Sequence, residues 1–252
     1  MCIRDSICTQ DLKDEDYINN HYVIMATKRG QVKKTSLEKY SRPRANGINA
    51  ITIKEEDELL EAKLTNGNSQ ILLAVKSGKA IRFEESKNRP MGRGASGVRG
   101  ITLANARDEV VGMVSVNDMD TNILVVSENG YGKRTSMDEF PVKGRGNRGV
   151  IGMQTSDRNG QLVGAIQVVP GEQMMLISDQ GTLVRCRTDE ISELGRNTQG
   201  VRVIRLKEGE LLVNVARIDE PEDDLDGENG AVDGVDSKDA SVSQDTDANQ
   251  TD

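Results

Sequence analysis

Two short signals return four times along this 252-residue chain at nearly fixed spacing. A chain patterned this way folds as stacked copies of one small unit. The first signal is an apolar run, a turn glycine and a strand-like segment carrying bases. Its glycines are Gly30, Gly78, Gly130 and Gly181, spaced 48, 52 and 51 residues apart. The second is a glycine- and arginine-bearing loop: Arg42-Pro-Arg-Ala-Asn-Gly47, Gly92-Arg-Gly-Ala-Ser-Gly97, Gly144-Arg-Gly-Asn-Arg-Gly149 and Gly195-Arg-Asn-Thr-Gln-Gly200. The closing glycines follow the turn glycines by 17, 19, 19 and 19 residues, so both signals hold register through all copies.

Apolar runs of five or six residues, period-two patterning and short turns favour β-hairpins over helices. Each turn glycine fits a tight hairpin, where positive φ is needed and glycine adopts it without steric cost. A third element follows each loop, from Gly47, Gly97, Gly149 and Gly200. A fourth follows an acidic or polar turn, from Glu58, Glu109, Gln161 and Glu210. Four strands in about 50 residues is the size of a propeller blade, and one such sheet must stack to bury its faces. The expected fold is all-β, a β-pinwheel or propeller-like stack of about four four-stranded blades. The blades are expected at about 22–68, 69–119, 120–170 and 171–218. With no Trp in the chain, the Trp-Asp signature of WD40 propellers is absent.

Composition changes at both ends. Residues 219–252 hold thirteen Asp or Glu against one Lys and read as a disordered acidic tail. The whole chain carries −8 and the tail −12, which leaves the repeat region at +7 once the acidic residues 1–21 are set aside. Residues 1–21 are expected to be an unstructured lead-in. Met1–Ser6 fits no repeat and leaves room for an expression or assembly scar. Cys2, Cys8 and Cys186 lack metal-ligand spacing, so the expectation is a reducing, cytoplasmic location and no metal site. No apolar run approaches the ~20 residues of a membrane span, so no membrane partner is expected.

The loops at Gly92 and Gly144 satisfy a dinucleotide-type glycine spacing, but strand-like segments follow where that motif needs a helix N-terminus. His21 is the only histidine and has no nucleophile or carboxylate pattern around it. The acids Glu55, Glu56 and Asp57 sit in a charged turn where solvation explains them. No catalytic residue and no cofactor is expected in this chain.

What remains is the recurrent cation pattern. The second hairpin strands carry Lys33, Lys34, Lys79, Arg82, Lys133, Arg134, Arg185 and Arg187. The loops carry Arg42, Arg44, Arg89, Arg93, Lys143, Arg145, Arg148 and Arg196. Edge strands use Lys and Arg to block edge-to-edge pairing, but that use predicts scattered bases, whereas these recur at matched positions beside glycines. Glycine admits a phosphate close to the backbone, and Arg grips it through two hydrogen bonds. Two Phe, four Tyr and no Trp supply few platforms for single-stranded bases, and no helix is on hand for the major groove. The expected partner is double-stranded DNA, held by charge and bendability.

The strings Val32-Lys-Lys-Thr35, Gly97-Val-Arg-Gly-Ile101, Asn129-Gly-Tyr-Gly-Lys-Arg-Thr135 and Gly195-Arg-Asn-Thr-Gln-Gly-Val201 resemble the family of C-terminal domains of the DNA gyrase A subunit. The resemblance runs from about Tyr22 to Ile218. It implies a β-pinwheel, six-bladed in the full-length protein, around whose basic perimeter DNA wraps with a positive crossover. It further implies an intact enzyme that introduces negative supercoils with ATP and Mg²⁺ bound elsewhere. The implied partners are the N-terminal breakage–reunion part of the same polypeptide and the gyrase B subunit, on the bacterial chromosome. Two departures stand out. The family's Gln-Arg-Arg-Gly-Gly-Lys-Gly box is represented only by degenerate copies, as if these were the last four of six blades. None of Tyr17, Tyr22, Tyr40 and Tyr131 matches the context of the family's catalytic tyrosine. Loss of two blades is expected to expose the outer face of the first repeat.

The rival family is the corresponding domain of the topoisomerase IV A subunit. A different class is a propeller whose basic rim contacts acidic proteins, and a small-molecule enzyme is disfavoured by the missing catalytic constellation. A −12 tail tethered to a +7 body can compete with phosphate at high effective concentration, or can serve solubility alone. Deletion of residues 219–252 is expected to tighten DNA binding at low salt; unchanged affinity in a titration of the truncated chain would leave solubility as the tail's role.

Overall fold

The structure is a computed structural model that describes Thr9 and residues 12–117 and 121–218. The acidic-tail expectation, Cys2 and Cys8 lie outside the described residues. Each repeat opens with an antiparallel hairpin: β1 (Tyr22–Thr27) with β2 (Gln31–Ser36), β4 (Gln70–Val75) with β5 (Lys79–Glu84), β8 (Asn122–Ser127) with β9 (Tyr131–Ser136), and β12 (Gln173–Ser178) with β13 (Leu183–Arg187). The turn glycines Gly30, Gly78, Gly130 and Gly181 have φ of 81°, 85°, 77° and 85°. A single 3-10 turn follows each hairpin, and then the loop. The repeats close with seven-residue strands β3 (Leu59–Thr65), β7 (Val110–Val116), β11 (Leu162–Val168) and β15 (Leu212–Ile218), each paired to the first strand of its own hairpin.

The third element does not stay in its own blade. The short strands β6 (Val98–Arg99), β10 (Val150–Ile151) and β14 (Val201–Arg202) pair with β2, β5 and β9 of the preceding repeat. The sheet orders are β3-β1-β2-β6, β10-β5-β4-β7, β11-β8-β9-β14 and β13-β12-β15. This corrects the picture of four strands from one continuous repeat: the outermost strand is lent by the next copy. The fourth sheet accordingly has three strands, and residues 47–53 of the first repeat form none.

Stacking between two neighbours explains the unbroken apolar runs of the middle blades. Side chains alternate across a strand, so a sheet buried on both faces is apolar at every position. Ile71, Leu73 and Val75 face a core shared with Ile24, Ala26 and Val32 of the first blade. Leu72 and Ala74 face the next core, with Ile123, Val125 and Phe140. Leu124 and Val126 then pack on Met174, Leu176 and Val215 of the fourth blade. On the closing strands, small residues let blades approach. A Cβ added at Gly112 would lie 2.7 Å from the Ala165 carbonyl oxygen, and one at Gly164 would lie 2.7 Å from the Val215 side chain.

The lead-in is not unstructured throughout. Residues Glu15–Asn20 form helix α1, whose N-cap Asp14 accepts from the Asp16 and Tyr17 N–H groups at 2.9 and 3.1 Å. Its Ile18 is buried with Val23, Met25 and Leu37 on the outer face of the first blade. Helix α1 therefore covers part of the face that was expected to be exposed. The opposite end is bare: Leu183 is 60% exposed and Val213 49%.

One core position is ill-matched. Tyr40, Asn88, Phe140 and Ile191 stand ten residues after their turn glycines. Asn88 is buried with both amide atoms lacking a partner, and its backbone (φ −102°, ψ 103°) matches that of Phe140 (−94°, 105°). Asn88→Leu is expected to stabilise the chain by about 1–2 kcal/mol, read as a higher denaturant midpoint at unchanged slope.

Candidate nucleic-acid interface

Several of the recurrent cations face inward. Three residues after the turn glycine stand Lys33, Ile81, Lys133 and Val184. Lys33 and Lys133 are fully buried. The Lys33 ammonium donates to the carbonyls of Ala50 and Arg93, both at 2.5 Å. Lys133 donates to the carbonyls of Gly195 (2.6 Å) and Arg196 (2.5 Å) and to Thr198 Oγ1 (3.1 Å). Arg93 and Arg196 hold the same place in their loops, so each lysine clamps the following repeat's loop at one point. Burial pushes Lys133 down to about 8, with Arg196 adding to the fall and Glu139 opposing it. Lys33 is lowered for the same first reason, with Arg93 adding.

One residue further on, Lys34, Arg82 and Arg134 grip the 3-10 turn of the following repeat. Lys34 pairs at 2.9 Å with Glu85, a buried carboxylate that also accepts from Thr65 Oγ1 at 2.7 Å and from the Ser69 N–H at 3.2 Å. Arg82 donates to the carbonyls of Met137 and Phe140, both at 2.8 Å, and Arg134 to that of Ile191 at 2.7 Å. The assignment of Lys33, Lys34, Arg82, Lys133 and Arg134 to a phosphate surface is thus corrected. A charge removed from water is tolerable only when its hydrogen bonds are met internally, and these five meet theirs across the seam between blades.

The loops they fasten carry the exposed charge. Arg42, Arg44, Arg89, Lys143, Arg145 and Arg148 are exposed, while Lys79, Arg93 and Arg196 are half-buried. Arg185 and Arg187 are exposed on the free edge of β13. Backbone bonds seat the second, third and fourth loops on the preceding blade, from Met91 N to the Lys34 carbonyl, Lys143 N to Arg82 and Leu194 N to Arg134, all at 2.8 Å. A second set joins the third element of one repeat to the loop of the next: Thr52 N to the Ala95 carbonyl at 3.3 Å, Thr102 N to Asn147 at 3.0 Å, and Gln154 N to Thr198 at 3.0 Å. The loops and outermost strands therefore form a continuous belt along the outer edges of the blades. Arg99 and Arg202 also lie exposed on that belt, on β6 and β14. Sequence reasoning missed them, although each is the second residue after a loop glycine, in Gly97-Val98-Arg99 and Gly200-Val201-Arg202.

The acidic turns serve the fold. Asp57 accepts from the Arg29 N–H at 2.9 Å and Asp108 from Ser77 Oγ at 2.8 Å, tying each closing turn to its hairpin turn. In the last repeat, hydrogen bonds from Ser178 and Thr182 hold Glu210 at about 2. Among the described residues, no group of three or more His, Cys, Asp or Glu could hold a metal ion. Nor is any helix among them long and apolar enough to cross a membrane.

Lys133→Met would leave three acceptors unmet and is expected to cost about 1–3 kcal/mol in chemical denaturation. The pH dependence has a definite sign. With Lys133 at about 8 in the fold and 10.5 as its ordinary value, the unfolded chain binds more protons between those limits. Wild-type stability relative to the variant should then rise as pH goes from 8 to 10.5, since the neutral amine keeps two donors and sheds its desolvation cost.

The family model for the DNA gyrase C-terminal domain, described as a β-propeller, matches residues 21–66, 70–117, 121–168 and 172–219. The DNA gyrase A subunit of Pseudomonas aeruginosa is 50% identical over 200 residues, covering 79% of this chain and 22% of that protein. The chain thus spans about a quarter of the length of the curated relatives it matches, up to 27% for that of Haemophilus influenzae. A solved structure of a DNA gyrase A C-terminal domain superposes with TM-score 0.71 at 26% identity, over 79% of this chain and 66% of that one. The C-terminal domain of a DNA topoisomerase IV superposes with TM-score 0.74 at 25% identity, over 79% and 62%.

Proposed function

The chain belongs to the family of DNA gyrase C-terminal domains, and we propose that its four blades form a module of a gyrase A subunit that binds and wraps double-stranded DNA. The observation that carries this reading is the belt of exposed cations: Arg89, Lys143, Arg145 and Arg148 on loops fastened to the preceding blades, with Arg42 and Arg44 exposed on the first loop. Cations at fixed intervals along a curved edge neutralise phosphates on one side of a duplex and favour bending toward the protein. Arg99 and Arg202 extend the same path. Base sequence enters only through the ease of bending.

In the intact enzyme the wrapped segment would be presented with a positive crossover for ATP-driven strand passage, giving negative supercoils. ATP and Mg²⁺ would be held outside this chain, whose partners would be the N-terminal breakage–reunion part of the same polypeptide and the gyrase B subunit. The setting would be the bacterial cytoplasm, on the chromosome. The topoisomerase IV A subunit is the second reading, supported by the comparable structural match. The 50% identity to a gyrase A subunit weighs toward gyrase.

Changing the six exposed cations together to Glu is expected to lower affinity for linear duplex by at least about 100-fold. The slope of log affinity against log salt should fall by about 0.9 for each phosphate no longer neutralised. A change within about twofold, under ~0.4 kcal/mol, would overturn the belt assignment. Ligation of a relaxed nicked circle in the presence of the chain reads wrapping: a positive linking-number shift that grows with protein supports it, and none limits the module to binding.

A further inference from the structure

The three seams keep one cation at the same place by different means. The first residue of each outer hairpin strand pairs across the seam with the second residue of the lent strand: Gln31 with Arg99, Lys79 with Ile151, and Tyr131 with Arg202. Each pair holds a single base, on the lent strand in the first and third seams and on the hairpin in the second. The third seam alone sets its base against a phenol. The place is open to solvent in a finished seam. Arg99 and Ile151 are exposed although an arginine of the next loop already donates to their carbonyls, Arg145 to Arg99 at 3.4 Å and Arg196 to Ile151 at 2.8 Å. Arg202 thus stands where the side chain stays exposed once the following loop is seated.

A second arginine joins it. Tyr131 belongs to the core that includes Phe140 and Met153, and 5% of the residue is exposed. Its hydroxyl accepts from Arg202 at 3.0 Å and from Arg158 Nε at 3.3 Å. Both guanidiniums also lie over the ring, 5.4 and 5.0 Å from its centroid. Arg158 comes from the turn before β11, and both arginines are exposed. Neither pairs with a carboxylate among the described residues, and none of these residues accepts the Tyr131 proton. Two cations drawn to one neutral oxygen repel each other, and the face of the ring offsets part of that repulsion. Arg158 keeps both terminal nitrogens as donors, and Arg202 keeps Nε and Nη1. Donors converging from two guanidiniums and a phenol fit the oxygens of a phosphate.

We propose that Arg158 and Arg202 together grip one backbone phosphate of the duplex at the seam between the third and fourth repeats, with Tyr131 as the positioning residue that holds them. This rests on the reading of the chain as a DNA-binding module, and it makes this seam a two-cation contact where the other two offer one. Arg158 lies outside the recurrent cation pattern and gains its role from the phenol beside it. The hydrogen bonds from Arg158, then from Arg202, hold the Tyr131 phenol below the usual tyrosine range, as an oxygen beneath two cations should be.

Binding of linear duplex by the full chain, measured across a salt series, tests this. Arg158→Gln with Arg202→Gln should lower affinity about 10-fold and reduce the slope of log affinity against log salt by about 0.9, for one phosphate released. Tyr131→Phe keeps the ring and both charges, and should lower affinity about 3- to 10-fold. In the background lacking both arginines the same change should move affinity by less than about twofold, because nothing is left to position. Either variant binding within about twofold of wild type, or a Tyr131→Phe cost that is the same with and without the arginines, would overturn the proposal and leave the belt standing. A wild-type chain with no salt-sensitive hold on duplex would overturn both. Inorganic phosphate added at constant ionic strength should leave the difference between wild type and the double Gln variant in place; its loss would overturn the duplex as the ligand in favour of free phosphate. Should Tyr131→Phe unfold, the double Gln variant, changed only at exposed positions, still decides the matter.

Discussion

A blade of this protein cannot finish its own sheet. The outer edge of each hairpin offers unpaired backbone groups, and in the first three these are met by two residues that belong to the next repeat. Everything else is arranged around that loan. The turn glycine must have no side chain because the borrowed segment rests against it, and the borrowed segment must open with a glycine because a hairpin carbonyl stands where a Cβ would be. Apolar burial between blades is the larger driving force, but it is non-directional and would tolerate slippage. The exchanged strand sets the register.

The buried lysines and arginines follow from the same arrangement. A loop crossing from one blade to the next leaves carbonyls near the seam that no strand can satisfy. An ammonium or guanidinium from the previous blade reaches several at once, as Lys133 and Arg82 do. The lowered proton affinity of Lys133 follows first from the hydration it gives up. In return, each clamped loop is fixed at its second residue, and the arginines beside that point project from a rigid base. Fold and candidate interface thus share one set of charges, divided between inward clamps and outward contacts.

The repeat, the hairpins and the all-β architecture were legible because glycine spacing and strand periodicity are local in the sequence. Strand exchange was not, because Val98-Arg99 reads equally well as the third strand of its own blade or the fourth of the one before. The clamps were partly legible. Lys33 and Lys133 share their position with Ile81 and Val184, and a site that accepts Ile or Val in sister repeats is a buried one. Helix α1 was hidden by its polar composition, with Ile18 its one buried apolar side chain, docked on the first blade. Arg99 and Arg202 escaped notice because they sit outside the loops where cations cluster.

The direction of the loan also matters when the chain is made. Synthesis runs from the N-terminus, so α1 and the first hairpin emerge together and that face can close at once. The outer edge of the first hairpin must then wait for Ile101, roughly seventy residues after Gly30. At the usual 5–20 residues per second that is about four to fourteen seconds. Each later blade repeats the delay, and because the second hairpin (residues 70–84) is made before Ile101 arrives, the edges of two successive blades wait together for part of that time. While it waits, such an edge offers unpaired backbone groups to any other chain, so the direction of the exchange sets when each blade is open to mispairing.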